Sequence, residues 1–207
     1  MTVALVDDDS AVLDSLRMAL EREGFSVACF ASAHAFLERF DEPHFRCIVS
    51  DVRMPDLTGL DLQRELGRRA SSLPLILITG HGDIDMAVSA LKSGAFDFIE
   101  KPFDHQRLVE SIRSAIADSR HRQSQQDELA DTMARAAELS QRQREVMALV
   151  AEGLSNKEIG IRLGLSPRTV ENYRAWVMEK MGANNLAKLV RMAVQIEAAT
   201  GKREPGC

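Results

Sequence analysis

Residues 47–55 read Cys47-Ile48-Val49-Ser50-Asp51-Val52-Arg53-Met54-Pro55, an apolar run that stops at a carboxylate and turns at a proline. A short, continuous apolar run bounded by turn residues is the pattern of a strand buried on both faces. An aspartate at its end is delivered to the C-terminal edge of a sheet, where doubly wound folds place their chemistry. Working outward, Val3-Ala4-Leu5-Val6 stops in the same way at Asp7-Asp8-Asp9, and strand-like runs recur over 26–30, 75–78 and 96–99. Between them lie segments of helical period. Val12, Leu13, Leu16 and Leu20 share a face closed by Gly24, and further helices are predicted over 33–40, 59–69, 83–93 and from about Asp104 onward. The alternation predicts an α/β doubly wound (βα)5 domain with a parallel sheet. The strand-end rule brings Asp7, Asp8, Asp51, Thr79 and Lys101 to one edge.

A chain of 207 residues suits two domains. No apolar run is long enough to cross a membrane, and the N-terminus carries no secretory pattern, so a cytoplasmic protein is expected. Cys29, Cys47 and Cys207 match neither a zinc site nor a disulfide framework, and Cys29 and Cys47 are expected as buried free thiols. Residues 1–118 hold 12 Lys and Arg against 20 Asp and Glu, whereas residues 119–207 hold 14 against 11. An acidic front and a mildly basic back point to different partners for the two halves.

Carboxylates crowded at one sheet edge repel each other unless a cation is present. Mg2+ resolves the conflict, because it is held by one or two carboxylates, waters and a substrate phosphate. That donor set suits phosphoryl transfer to Asp51, with Lys101 neutralising charge on the transferred group. Singly, each acidic residue is an ordinary strand-end turn or cap, and Asp9 reads equally well as the cap of the first helix. The ordered set of acids, Asp, Thr and Lys-Pro after successive strands is what chance composition rarely supplies.

On Asp7-Asp8, Asp51 with Met54-Pro55, Thr79 and Lys101-Pro102, the first half resembles the receiver domain of two-component response regulators. The run Thr79-Gly80-His81-Gly82-Asp83 is similar to the FixJ-type subfamily, and His81 itself reads as an exposed loop residue. The resemblance implies that Asp51 is the phosphoacceptor. It also implies that Asp8, Asp51 and the carbonyl of Arg53 bind Mg2+, with Asp7 acting through water. Thr79 is then the switch hydroxyl, Phe98 the aromatic switch position, and Lys101 the phosphoryl partner with a cis bond to Pro102.

No Gly or Pro occurs from Phe103 through Glu152. The polar stretch 118–128 leaves two readings open, a solvated helical linker or a disordered tether. Ser140 then caps a helix carrying Val146, Leu149 and Val150. Ser155 caps a short one with Ile159 and Leu163, Gly164 turns, and Ser166-Pro167 opens a third that runs to Met181. That order is helix, turn, helix. Val170, Trp176, Val177 and Met181 are the apolar positions of the third helix. Its first half displays short polar and guanidinium groups suited to a major groove. The run 153–173, GLSNKEIGIRLGLSPRTVENY, resembles the LuxR-type output domain. The resemblance places Lys157, Arg168, Thr169, Glu171, Asn172 and Arg174 near DNA. Tyr173 and Asn185 depart from the His and Arg that many members carry there.

Together the resemblances imply a FixJ-type transcriptional regulator. The expected organisation is a receiver over 1–118, a helical linker over 119–138, an output domain over 139–200 with its helix-turn-helix at about 155–174, and a flexible tail over 201–207. The expected partners are a FixL-like sensor histidine kinase, promoter DNA and, when phosphorylated, a second copy through Val88, Leu91 and Lys92. Phosphorylation is expected to release the output domain, in oxygen-linked control of nitrogen fixation or denitrification. The chain is expected not to be an enzyme. The alternatives are an aspartyl-phosphate phosphohydrolase, for which Arg53 stands where a second Asp is usual, and a receiver whose output binds RNA or protein.

Overall fold

Five strands make one parallel sheet: β1 (Thr2–Val6), β2 (Ser26–Phe30), β3 (Phe45–Asp51), β4 (Leu75–Thr79) and β5 (Asp97–Glu100), in the order β2-β1-β3-β4-β5. The structure is a computed structural model that describes residues 1–40, 44–80 and 84–201. The expectations for His81 and for the tail beyond Gly201 lie outside these residues. The chain divides into two compact units, Met1–Arg122 and Gln123–Cys207.

In the first unit the two-residue period of each strand sends alternate side chains to opposite faces. Val3, Leu5, Cys47, Val49, Ile76 and Ile78 pack against α1 (Ser10–Arg22) and the start of α5 (His105–Ala137). Ala4, Val6, Ile48, Leu75 and Leu77 pack on the other face, against α2 (Ala33–Leu37), α3 (Gly59–Arg68) and α4 (Ile84–Lys92). Burying each such Leu, Ile or Val stabilises by about 1.5–3 kcal/mol, which is why an apolar run lacking alternation marks a strand covered on both faces.

Asp9 does cap α1, its Oδ1 accepting from the backbone N–H groups of Ala11 and Val12. Cys47 is fully buried as expected, but Cys29 is exposed. The reason is that β2 is an edge strand, whose outer residues no neighbour covers. Helix α2 stops at Leu37, short of the expected 40.

In the second unit the last turns of α5 contribute Thr132 and Ala136 to a core shared with α6 (Gln141–Ala151), α7 (Asn156–Leu163), α8 (Pro167–Met181) and α9 (Leu186–Thr200). Serine capping boxes open α6 and α7, and Ser166 with Pro167 opens α8. Gly164 adopts a left-handed φ of 68°, which a side chain would strain, and so turns α7 into α8. Ile159, Val170, Val177 and Met181 are fully buried in the core of this unit.

Candidate functional site

Strand order reverses at β1, which has β2 on one side and β3 on the other, so a crevice opens at the C-terminal ends of β1 and β3. The register Val6 to Ser50 and Asp51 to Ile78 puts Asp7 and Asp51 on neighbouring strand ends. Lys101 follows β5, and its backbone N–H donates to the Thr79 carbonyl at 2.7 Å. Its ammonium reaches back over the edge, 2.7 Å from Asp51 Oδ1 and 3.2 Å from Asp7 Oδ2. The Lys101–Pro102 bond is cis.

The remaining carboxylate oxygens are tied to the backbone. Asp51 Oδ2 accepts from the Arg53 N–H at 2.6 Å, and Asp7 Oδ1 from the Asp9 N–H at 2.9 Å. The loop behind Asp51 is closed by Val52 N–H donating to Ile78 O and Gly59 N–H donating to Val52 O. Gly59 is buried directly behind the Asp51 carbonyl, where a side chain would clash. Sequence reading missed this role, since a glycine after a Thr cap looks like an ordinary first helical residue.

Asp7 and Asp51 are both buried, while Asp8 and the Arg53 side chain are exposed. Thr79 is fully buried at the end of β4, and Phe98 is half-buried on the face of the sheet that α4 covers. Burial raises the Asp7 carboxyl above its ordinary range, and the neighbouring Asp51 charge adds to this against the Asp9 N–H and Lys101. Burial alone would lower Lys101, but its hydrogen bond to Asp51 and the charges of Asp7 and Asp51 outweigh it and hold the ammonium above its usual value. Two buried carboxylates facing one ammonium leave an excess of negative charge.

Among the described residues no group of three or more His, Cys, Asp or Glu side chains is placed to hold a metal on its own. Mg2+ does not require one, because it keeps several waters and takes only one or two carboxylates beside a phosphate. Asp51 at the crevice, with the exposed Asp8 beside β1 and the buried Asp7 carboxylate leaving the edge short of one positive charge, fits that demand.

In the second unit Lys157, Arg168, Glu171 and Asn172 are exposed, and Arg168 pairs with Glu171 at 3.3 Å. Thr169 is half-buried, its hydroxyl 2.8 Å from Ser166 Oγ within the cap of α8. Arg174 is half-buried and donates to Asn156 Oδ1 at 2.9 Å, fastening α8 to the start of α7. Asn185 caps α9 by accepting from the Lys188 N–H. Trp176, read from the sequence as one of the apolar positions of its helix, is 47% exposed.

The family of the response regulator receiver domain matches residues 3–113, and that of bacterial regulatory proteins of the luxR family matches residues 137–193. The first match corrects one expectation, that the chain is not an enzyme: receiver domains catalyse their own dephosphorylation. The physical reason is that an ammonium beside a carboxylate stabilises a phosphoryl group in transit whether it arrives on the carboxylate or leaves it for water. The receiver fold also generally binds Mg2+ at its phosphorylation site.

The chain is 46% identical over 193 residues to the transcriptional regulatory protein FixJ of Bradyrhizobium diazoefficiens, spanning 93% of this chain and 94% of that protein. It superposes on the response regulator StyR with a TM-score of 0.79 at 36% identity, covering 94% of this chain and 98% of that one. For full-length FixJ from B. japonicum the TM-score is 0.61 at 45% identity, over 95% and 97% of the two chains. A carboxylate and ammonium cluster at the edge of a receiver sheet, followed by a helix-turn-helix of the luxR family, is the architecture of a phosphorylation-dependent DNA-binding regulator, and the chain belongs to the FixJ-type response regulators.

Proposed function

We propose that this protein is a transcription regulator switched by phosphorylation of Asp51. The observation that carries the reading is the Lys101 ammonium, 2.7 Å from Asp51 Oδ1, on a chain that continues into a helix-turn-helix. The donor is the phosphohistidine of a FixL-like sensor histidine kinase. Its N–P bond breaks as an Asp51 oxygen bonds phosphorus, and the imidazole recovers its proton from solvent. Lys101 offsets charge on the phosphoryl oxygens during the transfer. Asp8, Asp51 and the Arg53 carbonyl would hold Mg2+, with Asp7 acting through water, and the bound ion would supply further neutralisation of those oxygens.

The Thr79 hydroxyl turns toward the phosphoryl group, and Phe98 follows it into the space that this vacates. The surface of α4 and β5 changes accordingly. Val88 and Leu91, 42% and 47% exposed, form a dimer face together with Lys92. The receiver of residues 1–118, acting through the helical linker of 119–138, frees the output domain of 139–200. Two recognition helices then meet symmetric half-sites in promoter DNA, with Lys157, Arg168, Thr169, Glu171, Asn172 and Arg174 at the interface. No described helix is long and apolar enough to cross a membrane. Relationship to FixJ favours oxygen-linked control of nitrogen fixation or denitrification as the setting.

Mass spectrometry of the full chain after incubation with a phosphorylated histidine kinase tests the reading. The expected result is one added phosphoryl group, mapped to Asp51, Mg2+-dependent and lost in Asp51→Asn. Stable phosphate on another residue, or uptake unchanged in Asp51→Asn, contradicts it.

A further inference from the structure

The single tryptophan of the chain stands on α8 with 47% of its surface exposed. It is not loose. Its ring meets Tyr173 edge to face, with centroids 5.4 Å apart and planes at 88°, and Tyr173 is itself half-buried against the core of the unit. An aromatic held in place with nearly half its area in water stands ready for a partner.

The helical period gives its direction. At about 100° per residue, Trp176 lies roughly 40° from Asn172 and 80° from Arg168, on the exposed half of α8. The buried Val170, Val177 and Met181 lie roughly 100–140° away round the helix. The rise of about 1.5 Å per residue sets it roughly 6 Å beyond Asn172 along the helix, close to two base-pair steps. Indole offers one N–H donor and no acceptor, so it has nothing to take from the amino groups of cytosine or adenine. The apolar feature that a major groove presents is the C5 methyl group of thymine.

We propose that Trp176 is a specificity-determining residue that packs on the methyl group of a thymine about two base pairs from the base met by Asn172. The proposal rests on the reading of α8 as a recognition helix. It gives Tyr173 the part of a buttress that fixes the indole.

The test is selection from a random duplex DNA library by the full chain, activated with beryllofluoride and Mg2+, for the wild type, Trp176→Ala and Trp176→Phe. The wild type is expected to select a motif with a thymine that Trp176→Ala no longer requires and Trp176→Phe partly retains. Deoxyuridine at that position removes only the methyl group and is expected to weaken wild-type binding roughly fivefold while leaving Trp176→Ala unaffected. Quenching of the lone tryptophan on binding is expected alongside. The deoxyuridine arm needs no variant, so it decides the matter even where a substitution disturbs folding. An unchanged motif, or a loss equal on every duplex and indifferent to deoxyuridine, overturns the proposal and puts the indole against the sugar–phosphate wall. If the wild type enriches no duplex at all, the DNA-binding reading itself falls, and this inference with it.

Discussion

Gly59→Ala is a substitution whose sign separates local propensity from tertiary structure. Alanine inside a helix usually gains about 0.5–1 kcal/mol over glycine. At Gly59, however, a Cβ would stand 3.0 Å from Leu77 Cδ2 and 3.1 Å from the Asp51 carbonyl carbon, and closer still to the Asp51 carbonyl oxygen. Leu77 is fully buried, and the Asp51 backbone is fixed by its pairing with β4, so neither neighbour can swing aside. Over-packing against such walls costs about 1–3 kcal/mol or somewhat more, so the net expectation is a loss of about 2 kcal/mol. For a receiver-sized domain that lowers the unfolding midpoint by roughly 6–10 °C. Gly67 lies in the same helix with nothing within 4 Å of its would-be Cβ. Gly67→Ala is therefore expected to gain about 0.5–1 kcal/mol. Circular dichroism follows the receiver transition, because Trp176 and Tyr173 both lie in the second unit and their fluorescence reports that unit alone. Gly59→Ala is also expected to slow phosphoryl uptake, since relief of the clash moves the Asp51 carbonyl. A Gly59→Ala protein as stable as Gly67→Ala, with normal uptake, would refute the closure of α3 onto β3.

Three further outcomes are expected. Asp7 has a folded-state pKa raised above the 3.8 of a free side chain, so its stabilising share is complete below that value and is lost as pH rises through the raised one. Asp7→Asn is thus expected to melt higher than the wild type at pH 7 in chelator, with the advantage shrinking toward acid and reversing in millimolar Mg2+. A lower melting point in chelator at neutral pH would count against this. Gly160→Ala would place a Cβ 2.6 Å from the Leu165 carbonyl oxygen in the turn before α8, and should lower the urea midpoint of tryptophan fluorescence by an over-packing cost of about 1–3 kcal/mol. An unmoved midpoint contradicts it. Exposed Cys29 should react with a thiol reagent in the native protein, whereas Cys47, buried and pushed up to about 12, should stay protected until the receiver unfolds; peptide mapping reads both.

The parallel sheet was legible because strands buried on both faces write continuous apolar runs, and because four of the five ended at a residue with chemistry, Asp7, Asp51, Thr79 or Lys101. Caps were equally plain: Ser140, Ser155 and Ser166 each sit where a side-chain oxygen must satisfy free N–H groups. What sequence hid was whatever depends on neighbours distant along the chain. Cys29 looks like a core residue until β2 proves to be an edge. Thr169 and Arg174 give no sign in the sequence that Ser166 and Asn156 engage them within the helix-turn-helix. Trp176 counts as apolar by composition, yet its place on the helix turns it toward water. Gly59 carried no sequence signal, because its constraint is the approach of a backbone from another element.

The most direct test of the central claim is the affinity of the full chain for its selected promoter duplex, with and without phosphorylation, for the wild type and Asp51→Asn at one fixed salt concentration. Phosphorylation of the wild type is expected to tighten binding by roughly 5–150-fold, the usual range for coupled sites, and Asp51→Asn is expected to show no change. Equal affinity of phosphorylated and unphosphorylated wild type, or an undiminished response in Asp51→Asn, would contradict the assignment of Asp51 as the switch.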